Sequence, residues 1–171
     1  MKGIFVELIK PDLNLTAEFN QFYHECLETD GMVHGDGGFS NFTTFSDWLN
    51  HLKLMESETS VPSGYVPAFT YLLYNYIHEE IMGIVNIRTR LNDNLLKRGG
   101  NIGYSIRPKY RHKGNGKMML RMALDKCRAL ALSKVLITCD KTNLASQQLI
   151  KSCRGVEDSY EIDYQRFWIA L

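Results

Sequence analysis

The stretch Ile106-Arg107-Pro108-Lys109-Tyr110-Arg111-His112-Lys113-Gly114-Asn115-Gly116-Lys117 decides how the rest of this chain is read. Ahead of it, Asn101 to Ile106 has the composition of a short strand, which Pro108 ends because proline cannot donate to a ladder. Behind it, Leu120, Ala123, Leu124, Cys127, Leu130 and Ala131 recur at helical spacing and predict a long helix from about Gly116 to Leu132. The stretch is therefore a strand-to-helix turn. Between Arg107 and Arg121 it carries six Lys or Arg and no acid, in a chain whose totals are 20 basic and 19 acidic residues. Glycines at 114 and 116 let the first helical N–H groups converge on one point, where the helix dipole adds positive potential. Such a nest takes a phosphate.

The nest is not one of the commoner phosphate loops. A P-loop needs GxxxxGK followed by Ser or Thr, but here Arg111 and Met118 stand at the required positions. A dinucleotide fingerprint needs a third glycine, and Met119 occupies its place.

Working outward, residues 3–9 alternate as an opening strand, and Leu15 to Leu27 carry a helical stripe of Leu15, Phe19, Phe22, Tyr23 and Cys26. Residues 30–38 hold four glycines in nine and predict a flexible loop. Thr43 or Thr44 caps a second helix bearing Phe45, Trp48, Leu49, Leu52 and Met55. Phe69–Ile77 and Ile81–Arg88 read as a hairpin turning at His78-Glu79-Glu80. Val135–Cys139 is a short strand, Asn143–Ser152 a helix, and Gln165–Leu171 a closing strand. This order predicts an α/β (α+β) fold: one mixed, mostly antiparallel central sheet of six to seven strands flanked by about four helices, forming a single domain over residues 1–171.

A net charge of +1 speaks against a general nucleic-acid binder. No apolar run approaches the roughly 18 residues of a spanning helix, and Met1–Glu7 lacks a secretory h-region. Cys26, Cys127, Cys139 and Cys153 form no CxxC pair, and the five histidines form no cluster with them, so the expectation is free thiols in a cytoplasmic protein without a metal.

Arg111-His112-Lys113-Gly114-Asn115-Gly116 resembles the Q/R-x-x-G-x-G/A motif of the GNAT N-acetyltransferase superfamily, which holds the pyrophosphate of acetyl-CoA. Val66-Pro67-Ala68, Gly83–Arg88, Leu91-Asn92-Asp93, Ile102–Pro108 and Arg166–Ile169 look like a bacterial subgroup of predicted acetyltransferases. The resemblance implies a GNAT-like fold and acetyl-CoA as cosubstrate. It implies a pyrophosphate site at Arg111, His112, Lys113, Gly114, Asn115, Gly116 and Lys117. It also implies a pantetheine arm paired with the strand Tyr104, Ser105 and Ile106, and passing Asn143 and Ser146. The implied reaction is direct transfer of an acetyl group to a small-molecule or peptide amine, with N–H groups of a bulged fourth strand polarising the thioester carbonyl. No nucleic-acid or membrane partner is implied, and the chain is expected to be a monomer or homodimer.

The family often places a tyrosine seven residues after the motif asparagine, and Ile150 stands there. Tyr104 is the first choice for the missing acid, with Tyr160 and Tyr164 behind it, or the thiolate leaves unassisted. A CoA-binding module without turnover is the alternative. Glu79, Glu80 and Ser105 are weak candidates for base or water-positioning group, and His34 and Asp36 are candidate acceptor contacts. Asn86 and Arg88 share one strand face and could join Asp93 or an acidic group of the substrate.

Overall fold

The computed structural model describes residues 5–158 and 163–171. In chain order these residues form β1 (Val6–Ile9), α1 (Thr16–Asp30), α2 (Phe45–Met55), β2 (Ala68–Asn75), β3 (Glu80–Arg88), α3 (Asp93–Lys97) and β4 (Ile102–Ile106). Then come α4 (Asn115–Ala129), β5 (Lys134–Asp140), α5 (Leu144–Ser152), β6 (Val156–Glu157) and β7 (Tyr164–Ala170). The first residues of the expected opening strand and Tyr160 lie outside the described residues. The five-residue α3 has no counterpart in the sequence reading. It is too short to show a period, and it forms because Asn92 accepts from the Leu95 N–H.

The long helices form where the sequence places them. Thr44 caps α2 by accepting from the Asp47 N–H, and Gly31, at φ 73°, closes α1 with its own N–H on the Leu27 carbonyl. On one face of β2 and β3, Phe19, Phe22, Phe45, Trp48 and Leu52 of α1 and α2 bury Leu72 and Ile84. Ring centroids of Phe19 and Trp48 stand 4.7 Å apart, and each such buried side chain contributes roughly 1.5–3 kcal/mol. On the other face, Leu120, Ala123, Cys127 and Ile150 from α4 and α5 pack on Val85, Ile87, Ile137 and Phe167. Strand β3 is covered on both sides, so its sequence reads as a nearly unbroken apolar run.

The strands run in two ladders, β1-β2-β3-β4 and β5-β7-β6, and every strand pairing is antiparallel. The class and strand number agree with the sequence reading, but the sheet is parted between β4 and β5. Asn101 explains the parting. Its N–H donates to the Leu136 carbonyl (2.7 Å), yet its side-chain Oδ1, not its carbonyl, accepts from the Leu136 N–H (2.8 Å). Its Nδ2 reaches back to the Arg88 carbonyl (3.0 Å). With the Gly99 N–H on Thr138 Oγ1 (2.8 Å), these bonds close the joint at the start of β4, and the ladder does not propagate along the strand. The expected bulge in the fourth strand is absent: β3 and β4 keep one register from Gly83–Ile106 to Ile87–Ile102. The register shift lies instead between Leu73 and Tyr74 of β2.

Candidate active site

The turn after β4 begins with a 3-10 segment, Pro108–Tyr110, in which the Arg111 N–H returns to the Pro108 carbonyl. His112 (φ 58°) and Gly114 (φ 82°) then take left-handed backbone conformations that swing the chain into α4. Met118 N–H to Gly114 carbonyl is the first rung at this end of the helix (3.0 Å). The amides of Asn115, Gly116 and Lys117 lie ahead of it, with no intrahelical acceptor. A Cβ on Gly114 would meet nothing within 4 Å, so this face of the turn is open. His112 and Lys113 are exposed and Lys117 is half-buried. Gly116 has a different role: a Cβ there would stand 2.5 Å from Leu149 Cδ1, so this glycine lets α4 close on α5.

Beside the cradle runs the unpaired edge of β4. The bonds Arg88 N–H to Asn101 carbonyl and Arg107 N–H to Met82 carbonyl set the alternation of the β3–β4 pair. That alternation turns the backbone groups of Gly103 and Ser105 toward β3 and those of Tyr104 and Ile106 outward, toward β5. No ladder joins them to β5 among the described residues. The Tyr104 side chain reaches from β4 to α5, its hydroxyl 2.7 Å from Ser146 Oγ in the first turn of α5. Asn143 caps that turn by accepting from the Ser146 N–H (3.0 Å). Burial drives the Tyr104 pKa well above the usual tyrosine value, with the Ser146 hydrogen bond opposing. Tyr104 therefore keeps its proton. Burial likewise raises the neighbouring Cys139 thiol, which is half-buried on β5.

Several sequence-predicted residues point elsewhere. The Arg111 guanidinium is tied to Asp30 at the end of α1, and its Nε caps the Ile106 carbonyl (2.8 Å). Asn115 holds the Tyr110 carbonyl, and Lys113 the Lys109 carbonyl. The Ser105 hydroxyl accepts from the His34 N–H (2.9 Å) on the α1–α2 side. Glu79 lies in the hairpin turn, and Glu80 is held by Lys109 and Tyr110. Tyr164 stacks under Arg98. Asn86 bonds to Thr70 rather than Asp93, and Arg88 to the carbonyls of Gly99 and Gly100.

The glycine-rich loop after α1, expected to be flexible, is pinned down. Gly35 sits so close to β4 that a Cβ on it would lie 2.2 Å from the Gly103 carbonyl oxygen. Asp36 accepts from Gly38 N–H, Ser40 N–H and Tyr23 Oη, and the Trp48 indole donates to its carbonyl. Its glycines serve close approach as well as freedom. Asn101, the joint of the two ladders, was missed; a single asparagine after two glycines carries no periodic signal.

An open turn with three helix-start amides, the outward-turned N–H groups of Tyr104 and Ile106, and the Tyr104–Ser146 hydroxyl pair thus lie along one edge of β4. The acetyltransferase (GNAT) domain family model matches residues 47–156. The chain belongs to the GNAT acetyltransferase family, as an acyltransferase that uses acetyl-CoA. Among solved structures, it is similar to a ribosomal-protein-S5-alanine acetyltransferase from Vibrio fischeri: TM-score 0.73, 14% identity, 99% of this chain and 95% of that one. RimL, a ribosomal L7/L12 alpha-N-protein acetyltransferase in complex with coenzyme A, gives TM-score 0.68 and 14% identity over 99% and 96%. An acetyl transferase from Salmonella typhimurium that modifies the N-terminal serine of L7/L12 gives 0.64 and 15% over 99% and 96%. Comparison with curated protein sequences finds no match. Among the described residues, no helix is long and apolar enough to cross a membrane.

Proposed function

We propose that this chain, as one domain over residues 1–171, transfers the acetyl group of acetyl-CoA directly to a primary amine. The carrying observation is that the open turn at Gly114, the outward-turned backbone of β4 and the Tyr104 Oη–Ser146 pair follow one another along the same edge of β4. The residues present fit the cosubstrate. Gly114 leaves room for a phosphate, and the amides of Asn115, Gly116 and Lys117 supply donors, with His112 and Lys117 adding basic side chains. Arg111 acts from behind: tied to Asp30 and Ile106, it holds the turn against α1 and β4. The outward N–H groups of Tyr104 and Ile106 suit the amide groups of a pantetheine arm, with Asn143 and Ser146 on its far side. The cosubstrate supplies an activated thioester.

Tyr104 is the group we assign to give a proton to a departing sulfur, on the ground that its hydroxyl stands at the β4 edge and is oriented by Ser146. Ile150, at the family's tyrosine position, is fully buried and leaves that role to Tyr104. The acceptor we favour is a small-molecule or peptide amine, and similar folds named for acetylating ribosomal-protein N-termini support the peptide. Four free thiols suit a cytoplasmic protein.

Calorimetric titration with acetyl-CoA, with ATP and NAD as controls, tests the cofactor site; free-thiol release on a panel of amines tests turnover. Selective acetyl-CoA binding with amine-dependent thiol release is the expected result. Binding without amine-dependent release would establish the non-catalytic CoA module instead.

A further inference from the structure

We propose that Arg88 receives a carboxylate of the acceptor, so that the amine this chain acetylates carries an acidic group. The inference rests on the acetyltransferase reading above and adds the acceptor's chemical class.

Arg88 closes β3 on the face turned toward α1 and α2, two residues after Asn86, which pairs with Gly103 of β4. Its Nη1 donates to the carbonyls of Gly99 (3.1 Å) and Gly100 (3.2 Å), which fixes the plane of the guanidinium. Both partners are neutral. The other arginines of this region are paired differently: Arg107 grips Glu25 through Nε (2.6 Å) and Nη2, and Arg111 grips Asp30. Among the described residues, no carboxylate stands within ion-pairing distance of Arg88, although the group is mostly buried. Asp36 acts on it from farther away. The oxygens of Asp36 are already taken by Gly38, Ser40 and Tyr23. A mostly buried cation left with neutral acceptors is costly, and a carboxylate from outside would remove that cost through a two-point bond.

Its position suits that role. Arg88 Nη2 lies 3.5 Å from where a Gly103 Cβ would stand, and Gly35 approaches the same point. Gly103 immediately precedes Tyr104, whose side chain faces α5 on the opposite side of β4. The guanidinium is thus one residue along the strand from the assigned acid, but on the face away from the phosphate cradle. An acceptor whose amine reaches the β4 edge from that side would bring its acid group to Arg88.

The test uses acceptor pairs that differ only in a carboxylate against a carboxamide. One arm compares Ser-Asp-Gly-Gly-amide with Ser-Asn-Gly-Gly-amide, and the other compares alanine with alaninamide, separating a peptide side chain from a free amino acid. Wild-type enzyme is expected to favour the acid member of at least one pair by about tenfold or more in kcat/KM, mainly through KM. Arg88→Gln should remove that preference by lowering the acid's kcat/KM about tenfold while moving the amide less than about threefold, and Arg88→Lys should recover part. Equal use of acid and amide by the wild type would overturn the assignment, as would a parallel fall on both in Arg88→Gln or no turnover on any acid-bearing acceptor. If Arg88→Gln does not fold, the wild-type preference and the Lys variant decide. Acetyl-CoA titration run alongside separates the two levels: no binding removes the transferase reading, whereas binding and turnover without acid preference removes only Arg88.

Discussion

Replacing Asn101 by alanine tests the joint at which the two ladders part. The side chain is 3% exposed and makes two bonds, accepting from Leu136 N–H and donating to the Arg88 carbonyl. Alanine leaves both backbone groups without these partners at a site sealed from water. Each orphaned group costs about 1–3 kcal/mol, so the pair costs about 2–6 kcal/mol. For a chain of this length that corresponds to a fall of roughly 5–20 °C in Tm. Urea unfolding followed by tryptophan fluorescence measures the loss, since Trp48 lies in the core and Trp168 on β7. The same variant should also bind acetyl-CoA more weakly, because one of the bonds that hold β5 beside β4 is lost, while the backbone bond from residue 101 N–H to the Leu136 carbonyl remains. A stability loss below about 0.5 kcal/mol with unchanged affinity would refute the reasoning, since surface-like substitutions do no more than that.

Gly114→Ala forces a Cβ onto a φ of 82°, costing about 1–2 kcal/mol, and places a methyl in the cradle, so calorimetry should show acetyl-CoA binding largely lost. Gly116→Ala should act mainly on stability, by about 1–3 kcal/mol against Leu149; the reverse pattern would show that the two glycines were misassigned. Tyr104→Phe should retain acetyl-CoA affinity and lower kcat, and the wild-type profile should show no Tyr104 limb up to the ordinary tyrosine range, its pKa being raised by burial. Ile150→Tyr should destabilise the fold without raising turnover: Ile150 is fully buried, and its Cγ2 already lies 2.5 Å from where a Gly155 Cβ would stand. Glu25 is held below its ordinary value of 4.5, first by its hydrogen bond from Arg107. A depressed carboxyl contributes stability above the unfolded pKa and loses it as pH falls through the folded one. Acid unfolding below about pH 4.5 should therefore be shallower in Glu25→Gln, and an unchanged slope would sink the assignment.

The sequence by itself determined the parts of this protein that depend on neighbours three or four residues apart. The Thr44 cap, the stripe of α4 and the glycine-rich turn ahead of it are local matters, and each element ends within a few residues of its expected place. The strand-to-helix turn was legible for the same reason, since strand end, glycines and helix start are contiguous. Only the tertiary structure decided which side chains serve the β4 edge. Arg111 belongs to Asp30 across 81 positions, Ser105 to His34 across 71, and Asn101 to Leu136 across 35. Such partners are chosen by how the strands and helices pack, and no periodicity in the chain encodes them. The gap beside β4 is likewise a property of the packed whole, because an asparagine side chain takes the place of a backbone carbonyl only once β5 lies beside it.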